Sequence, residues 1–212
     1  MGKLRENPHK FLSAEWYEWT HNNVLQIHDG FMAWTKDKMI GSVLEVGCGK
    51  YRYYHQMFGG IDYIGMDKSE DAIDYCEKNY FVTGKPHFWM TGDVLELEPM
   101  EIDLVFSHAV IDHSPDPELF IRKCIESANK YVYIMAYRGF FQDINEHKIE
   151  RSEDGFYYVD LSVKRIEQLL TGLLLDKKII DWLLKRVPTG LPEGEIQDEL
   201  HIIISKESAG NV

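Results

Sequence analysis

The chain has 212 residues, 44% of them hydrophobic, enough for one α/β domain with a full core. Its formal net charge of −12 opposes non-specific binding to nucleic acid or to an anionic membrane surface, and no apolar run reaches membrane-helix length. Cys48, Cys76 and Cys124 form no metal-ligand or redox-pair pattern and suit a reducing compartment, and the N-terminus has no signal-peptide core, so a cytoplasmic protein is expected.

Residues 1–40 are amphipathic and aromatic. Phe11, Trp16, Trp19, Val24, Ile27, Phe31 and Trp34 recur at helical intervals, and Ser13 ahead of Ala14-Glu15-Trp16 suits an N-cap. One or two helices are expected there, covering a sheet face or forming a lid. From 43 to 136 apolar strands alternate with helix-like segments, the pattern of a parallel sheet. Strands are expected at 43–47, 61–66, 86–90, 102–107 and 131–136, and helices at 50–58, 69–79 and 116–128, with Ser69 capping the second. Beyond Tyr137 the rhythm changes. Segments 147–152 and 156–161 flank Glu153-Asp154-Gly155 as a β-hairpin, and Ser162 caps a helix to about 171. Segments 179–187 and 200–205, joined by a Pro/Gly-rich turn at 188–194, close the chain as an antiparallel hairpin.

The stretch Val43-Leu44-Glu45-Val46-Gly47-Cys48-Gly49 reads as a buried strand ending in a glycine turn, and Tyr63-Ile64-Gly65-Met66-Asp67 as a second strand ending in an acid. Strand, glycine turn, helix, strand and acid make a nucleoside pocket in a doubly wound sheet: the glycines admit the ligand to the backbone and the acid accepts from ribose hydroxyls. Arg52 stands where the third glycine of a dinucleotide fingerprint belongs, and Glu45 lies inside the strand. Both features argue against a pyrophosphate and for a smaller, positively charged nucleoside.

In these residues the chain resembles the class I S-adenosylmethionine-dependent methyltransferases of small molecules. The resemblance covers 40–137 by motif and 162–206 by layout. It implies a Rossmann-like, doubly wound, mostly parallel seven-stranded sheet with an antiparallel last strand and an N-terminal helical extension. The single domain of 1–212 would comprise a cap at 1–40, a cofactor-binding half at 41–137 and a substrate side at 138–212. The implied cofactor is S-adenosyl-L-methionine. Glu45 would lie near its amino end, with Gly47, Cys48 and Gly49 forming the turn beneath it. Asp67, next to Lys68, would hold the ribose, and Asp93 and Val94, in Thr91-Gly92-Asp93-Val94, would meet the adenine.

A fourth motif runs Ile102-Asp103-Leu104-Val105-Phe106-Ser107-His108-Ala109-Val110-Ile111-Asp112-His113-Ser114-Pro115-Asp116-Pro117 and closely resembles the corresponding family segment. Strand ends face the ligand crevice of an open α/β sheet, which brings Ser107, His108 and Ala109 near the transferred methyl group. Methyl transfer from a sulfonium depends chiefly on alignment, and a hydroxyl acceptor also benefits from a base that titrates near neutrality. His108 and His113 are the candidate bases, with Asp112 as partner or orienter; local packing is the alternative for His113. Tyr137 and Arg138 follow the fifth strand and are candidate substrate contacts, with a solvated arginine the alternative. Ala109 replaces the first Glu of the E-x-x-E-H segment with which some relatives bind a divalent metal, so no metal is expected. Cys48 reads as packing between glycines rather than as a nucleophile. The expected activity is methyl transfer to a small molecule, oxygen favoured over nitrogen. A nicotinamide-dependent oxidoreductase and a non-catalytic methyltransferase-like binding module are the alternatives.

Overall fold

The structure, a computed structural model, describes residues 25–50, 54–80, 87–137, 142–153, 155–188 and 198–206. The expected helix start near Ser13, the aromatic-basic positions Tyr51, Arg52 and Tyr53, the candidate contact Arg138 and most of the 188–194 turn lie outside these residues.

The apolar runs form the strands that the alternation predicts. β1 (Ser42–Val46), β2 (Asp62–Asp67), β3 (His87–Thr91), β4 (Ile102–His108) and β5 (Ala128–Ala136) pair in parallel. β8 (Asp181–Pro188) and β9 (Asp198–Ser205) complete a seven-stranded sheet of order β3-β2-β1-β4-β5-β9-β8, with β9 antiparallel to both neighbours. β6 (Lys148–Arg151) and β7 (Tyr157–Asp160) form the expected hairpin as a separate two-stranded sheet.

The helices are α1 (Leu25–Thr35), α2 (Tyr54–Met57), α3 (Glu70–Asn79), α4 (Pro117–Ser127) and α5 (Val163–Leu175). Ser69, Asp116 and Ser162 each accept a backbone N–H at a helix start, which removes one orphan donor per helix. Two expectations are corrected. The helix expected at 50–58 is the single turn α2 within the described residues, and α5 continues four residues past 171, because Leu173 extends the buried stripe of Ile166, Leu169 and Leu170. No helix among the described residues is long and apolar enough to cross a membrane.

Period-two alternation divides the core between the two faces of the sheet. Leu44, Val46, Val105, Ile134, Ile202 and Ile204 pack with α4 and α5 through Phe120, Ile121, Ile166 and Leu170. Val43, Tyr63, Leu104, Phe106, Tyr133 and Ile203 face Phe31 of α1 and Tyr54 of α2. Phe31 is the hub of this second face, with ring centroids 4.9 Å from both Phe106 and Tyr133 and 5.7 Å from Tyr54. Replacing Phe31 by Ala is expected to cost about 3–5 kcal/mol, because the lost aromatic leaves a cavity among rigid rings. Urea unfolding at pH 7 measures it, and a loss below about 1 kcal/mol would mean that α1 is not anchored there.

Candidate active site

β1, β2, β3 and β4 all end at one edge of the sheet, and there they surround a cleft of about 350 Å³, in the range of small-ligand sites. Its floor is Val46, Gly47 and Gly49 after β1, its sides carry Asp67 and Lys68 after β2 and Asp93 and Val94 after β3, and Ala109 and Val110 after β4 close it.

The glycine turn is built for close approach. Gly47 and Gly49 have φ of +73° and +57°, and a Cβ on Gly47 would stand 2.3 Å from Val110 Cγ2. The turn's donors are used internally: the Gly47 and Cys48 amides donate to the Met66 carbonyl at 2.7 and 3.0 Å, and the Gly49 amide donates to Asp67 Oδ2 at 3.0 Å. Asp67 Oδ1 accepts from the Ser69 amide at 2.9 Å. Two backbone donors thus fix the carboxylate, one on each oxygen, and each oxygen keeps acceptor capacity toward the cleft. Exposed Asp93 caps a 3-10 turn at Val94–Glu96 by accepting from the Leu95 amide at 3.0 Å.

The other expected site residues divide between the cleft and the core. Glu45 is fully buried on the α1 side and is absent from the cleft lining; the Tyr63 hydroxyl donates to its Oε2 at 2.5 Å. The expected place at the cofactor's amino end is thus not where the described residues put this carboxylate. The cause is parity: Glu45 alternates with Leu44 and Val46 and so shares a face with Val43. Cys48 is buried, with its thiol pushed well up, chiefly by its hydrogen bond with Cys76 and by burial, and it packs against Gly65. Ser107 is buried, and its hydroxyl has no hydrogen-bond partner among the described residues.

His113 borders the cleft and fastens the β6–β7 hairpin to the end of β4. Its Nδ1 donates to the Tyr157 carbonyl at 2.8 Å, and its Nε2 accepts from the Tyr137 hydroxyl at 3.1 Å. Asp112, fully buried, accepts the Tyr137 amide at 3.3 Å. Asp112, His113 and Tyr137 therefore form one latch, which holds Phe156 and Tyr158 of the hairpin against the cleft.

His108 points the other way, into a buried polar chain that sequence reading missed. Its Nδ1 faces the Tyr54 hydroxyl at 3.3 Å and its Nε2 faces Glu199 Oε1 at 3.2 Å. Glu199 Oε2 meets His201 Nε2 at 3.3 Å, and His201 Nδ1 meets the Tyr133 hydroxyl at 2.8 Å. Burial alone would raise the Glu199 carboxyl, but His108 and His201 outweigh it and hold it down to about 2. Burial, and then the charge of Glu199, push the Tyr133 phenol above its ordinary range. The signal was legible: Glu199 and His201 alternate with Leu200 and Ile202 in an apolar strand, so both point inward once β9 is placed.

A methyltransferase-domain family model matches residues 38–187. The chain belongs to this methyltransferase domain family. The matched span holds every strand end that lines the cleft, together with the hairpin that borders it. No curated protein sequence matches the chain. Among solved structures, this methyltransferase is similar to magnesium protoporphyrin IX methyltransferase from Synechocystis PCC 6803 with bound SAM, at TM-score 0.63 and 14% identity over 94% of each chain. It is also similar to a SAM-dependent methyltransferase from Methanosarcina mazei, at TM-score 0.57 and 17% identity over 83% of this chain and 97% of that one. A plantazolicin methyltransferase in complex with a triazolic desmethyl analogue and SAH matches at TM-score 0.57 and 14% identity, over 92% of this chain and 86% of that one.

Proposed function

We propose that this methyltransferase binds S-adenosylmethionine in the cleft at the ends of β1–β4 and methylates a small molecule, at oxygen in preference to nitrogen, in the cytoplasm. The observation that carries the cofactor reading is the doubly anchored Asp67 carboxylate beside a glycine turn whose positive φ and contact with Val110 exclude side chains. Such a carboxylate suits a ribose diol, which offers two donors to one acid. Asp93 and Val94 stand one strand further out, where the adenine would follow. The magnesium protoporphyrin IX and plantazolicin methyltransferase structures, of the same fold, contain SAM and SAH respectively, which supports the reading.

When bound, the cofactor supplies an activated methyl group on a good leaving group. The protein's own part is alignment and exclusion of water. Gly47 and Gly49 permit approach from below, Ala109 and Val110 border the far end, and Phe156 and Tyr158 cover the opening from the hairpin. Tyr137 and Arg138, with the hairpin, would shape acceptor choice. The oxygen preference rests on the histidines beside the end of β4, since a hydroxyl acceptor loses a proton on methylation. The three buried free thiols suit a reducing compartment.

Asp67→Ala tests the cofactor reading. Loss of the ribose acceptor is expected to weaken SAM binding by about 1–3 kcal/mol, roughly 5- to 150-fold in Kd, as measured by calorimetry. An unchanged Kd would place the nucleoside elsewhere.

A further inference from the structure

We infer that the β6–β7 hairpin is a cover over the adenine end of the cleft, with Phe156 and Tyr158 as cofactor contacts and the Tyr137–His113 hydrogen bond as its fastening. This inference rests on the S-adenosylmethionine reading and deepens it, by giving the hairpin a part in holding and exchanging the cofactor.

Alternation along β7 gives the strand two faces. Val159 is fully buried in the same core cluster as Ile111, whereas Phe156 and Tyr158, on the opposite face, line the cleft. The strand packs on the 3-10 turn Ile111–His113, where the Tyr158 and His113 rings meet edge to face at 5.7 Å. The tip is fixed by its own hydrogen bonds. Gly155 takes φ +85°, and its amide donates to the Ser152 carbonyl at 3.0 Å. The Ser152 amide donates to the Phe156 carbonyl at 2.8 Å, and the Phe156 amide donates to Ser152 Oγ at 3.1 Å. Phe156 nevertheless stays 36% exposed. A braced backbone thus presents a large ring to the cleft with much of its surface still in water.

The neighbours of this pair identify what it meets. The chain after β4 leaves Val110, which contacts Gly47, and runs through His113 and Pro115 into α4. In turn, α4 packs against the 3-10 turn Val94–Glu96, next to Asp93. Val94, Leu95, Pro115, Phe120, Phe156 and Tyr158 therefore wall the Asp93 end of the cleft from three sides, all without charge. A flat, neutral base suits such an apolar slot, because it can stack on the aromatic faces. The polar ribose belongs with the Asp67 carboxylate instead.

The fastening lies beside the slot. The Tyr137 hydroxyl and the Tyr157 carbonyl tie the His113 ring to the end of β5 and to β7 at once. Loss of the Tyr137 hydroxyl keeps its ring but removes one tie, so the cover opens more often.

The test compares wild type with Phe156→Ala, Tyr158→Ala and Tyr137→Phe. The probes are S-adenosylhomocysteine and 5′-methylthioadenosine, which keeps the nucleoside and sulfur but lacks the amino-acid end. Each alanine variant should weaken both probes by the same factor, about 5-fold or more by calorimetry, through loss of an aromatic–base stack. Circular dichroism should match the wild type. In Tyr137→Phe, surface plasmon resonance should show S-adenosylhomocysteine leaving about 3- to 10-fold faster. Unchanged affinity for both probes in the alanine variants would put the hairpin over the acceptor, and a loss for S-adenosylhomocysteine alone would put it over the amino-acid end; either result overturns the inference. So would failure of 5′-methylthioadenosine to bind a wild type that binds S-adenosylhomocysteine. An unaltered dissociation rate in Tyr137→Phe would overturn the fastening. The S-adenosylmethionine reading fails separately, if the wild type binds neither SAM nor S-adenosylhomocysteine.

Discussion

Gly47→Ala is expected to weaken SAM binding roughly 100-fold or more while the protein remains folded. Two effects act in the same direction. Gly47 has φ +73°, where an L side chain costs about 1–2 kcal/mol. The added Cβ would also lie 2.3 Å from Val110 Cγ2 and 3.0 Å from Cγ1, so the turn after β1 and the loop after β4 cannot both keep their positions. Those two segments form adjoining walls of the cleft, and their separation changes its shape. Adding Val110→Ala removes the two Cγ clashes but leaves a tight 3.2 Å contact with its Cβ and the backbone strain, so the double variant should recover part of the affinity. Calorimetry with SAM measures both, and circular dichroism reports retained structure. Wild-type affinity in Gly47→Ala would mean that the ligand does not use this turn.

Glu199→Ala is expected to cost about 3–5 kcal/mol of stability at pH 7, because two buried imidazoles lose their common acceptor. The pH dependence has a definite sign. Folding lowers the Glu199 carboxyl from 4.5 to about 2, so its contribution is fully present above pH 4.5 and is lost as the pH falls toward 2. A displacement of that size corresponds to about 3 kcal/mol for this buried group. Urea unfolding between pH 6 and 2.5 should therefore show a steeper loss of stability in wild type than in Glu199→Gln, and the two curves should converge at the acid end. Parallel curves would mean that the carboxylate is not ionised between the two histidines.

The sheet was largely legible because periodicity and turn chemistry agreed. Strong apolar runs, Ser69 and Ser162 as caps, and the Gly155 turn placed the strands, α3, α5 and the hairpin within a few residues. Boundaries failed where packing decides, as at Gly172–Leu175, where the burial of Leu173 accompanies continuation of α5 through Gly172. In the site, Asp67, Asp93, Gly47 and Gly49 were legible from spacing, since each follows a strand. Glu45, His108 and Glu199 were harder. Their facing depends on strand parity, and the union of His108 with Glu199 needs β9 laid antiparallel beside β5, which pairs His201 with Met135 and Met135 with His108. The latch of His113 on Tyr157 depends on how the hairpin docks, a long-range contact without a local signature.

A crystal structure of the protein with S-adenosylhomocysteine tests the central claim most directly. Ribose hydroxyls should lie on Asp67, the adenine beside Asp93 and Val94, and the sulfur at the Gly47–Ala109 end of the cleft. A nucleoside bound away from Asp67, or a sulfur directed away from the end of β4, would contradict it.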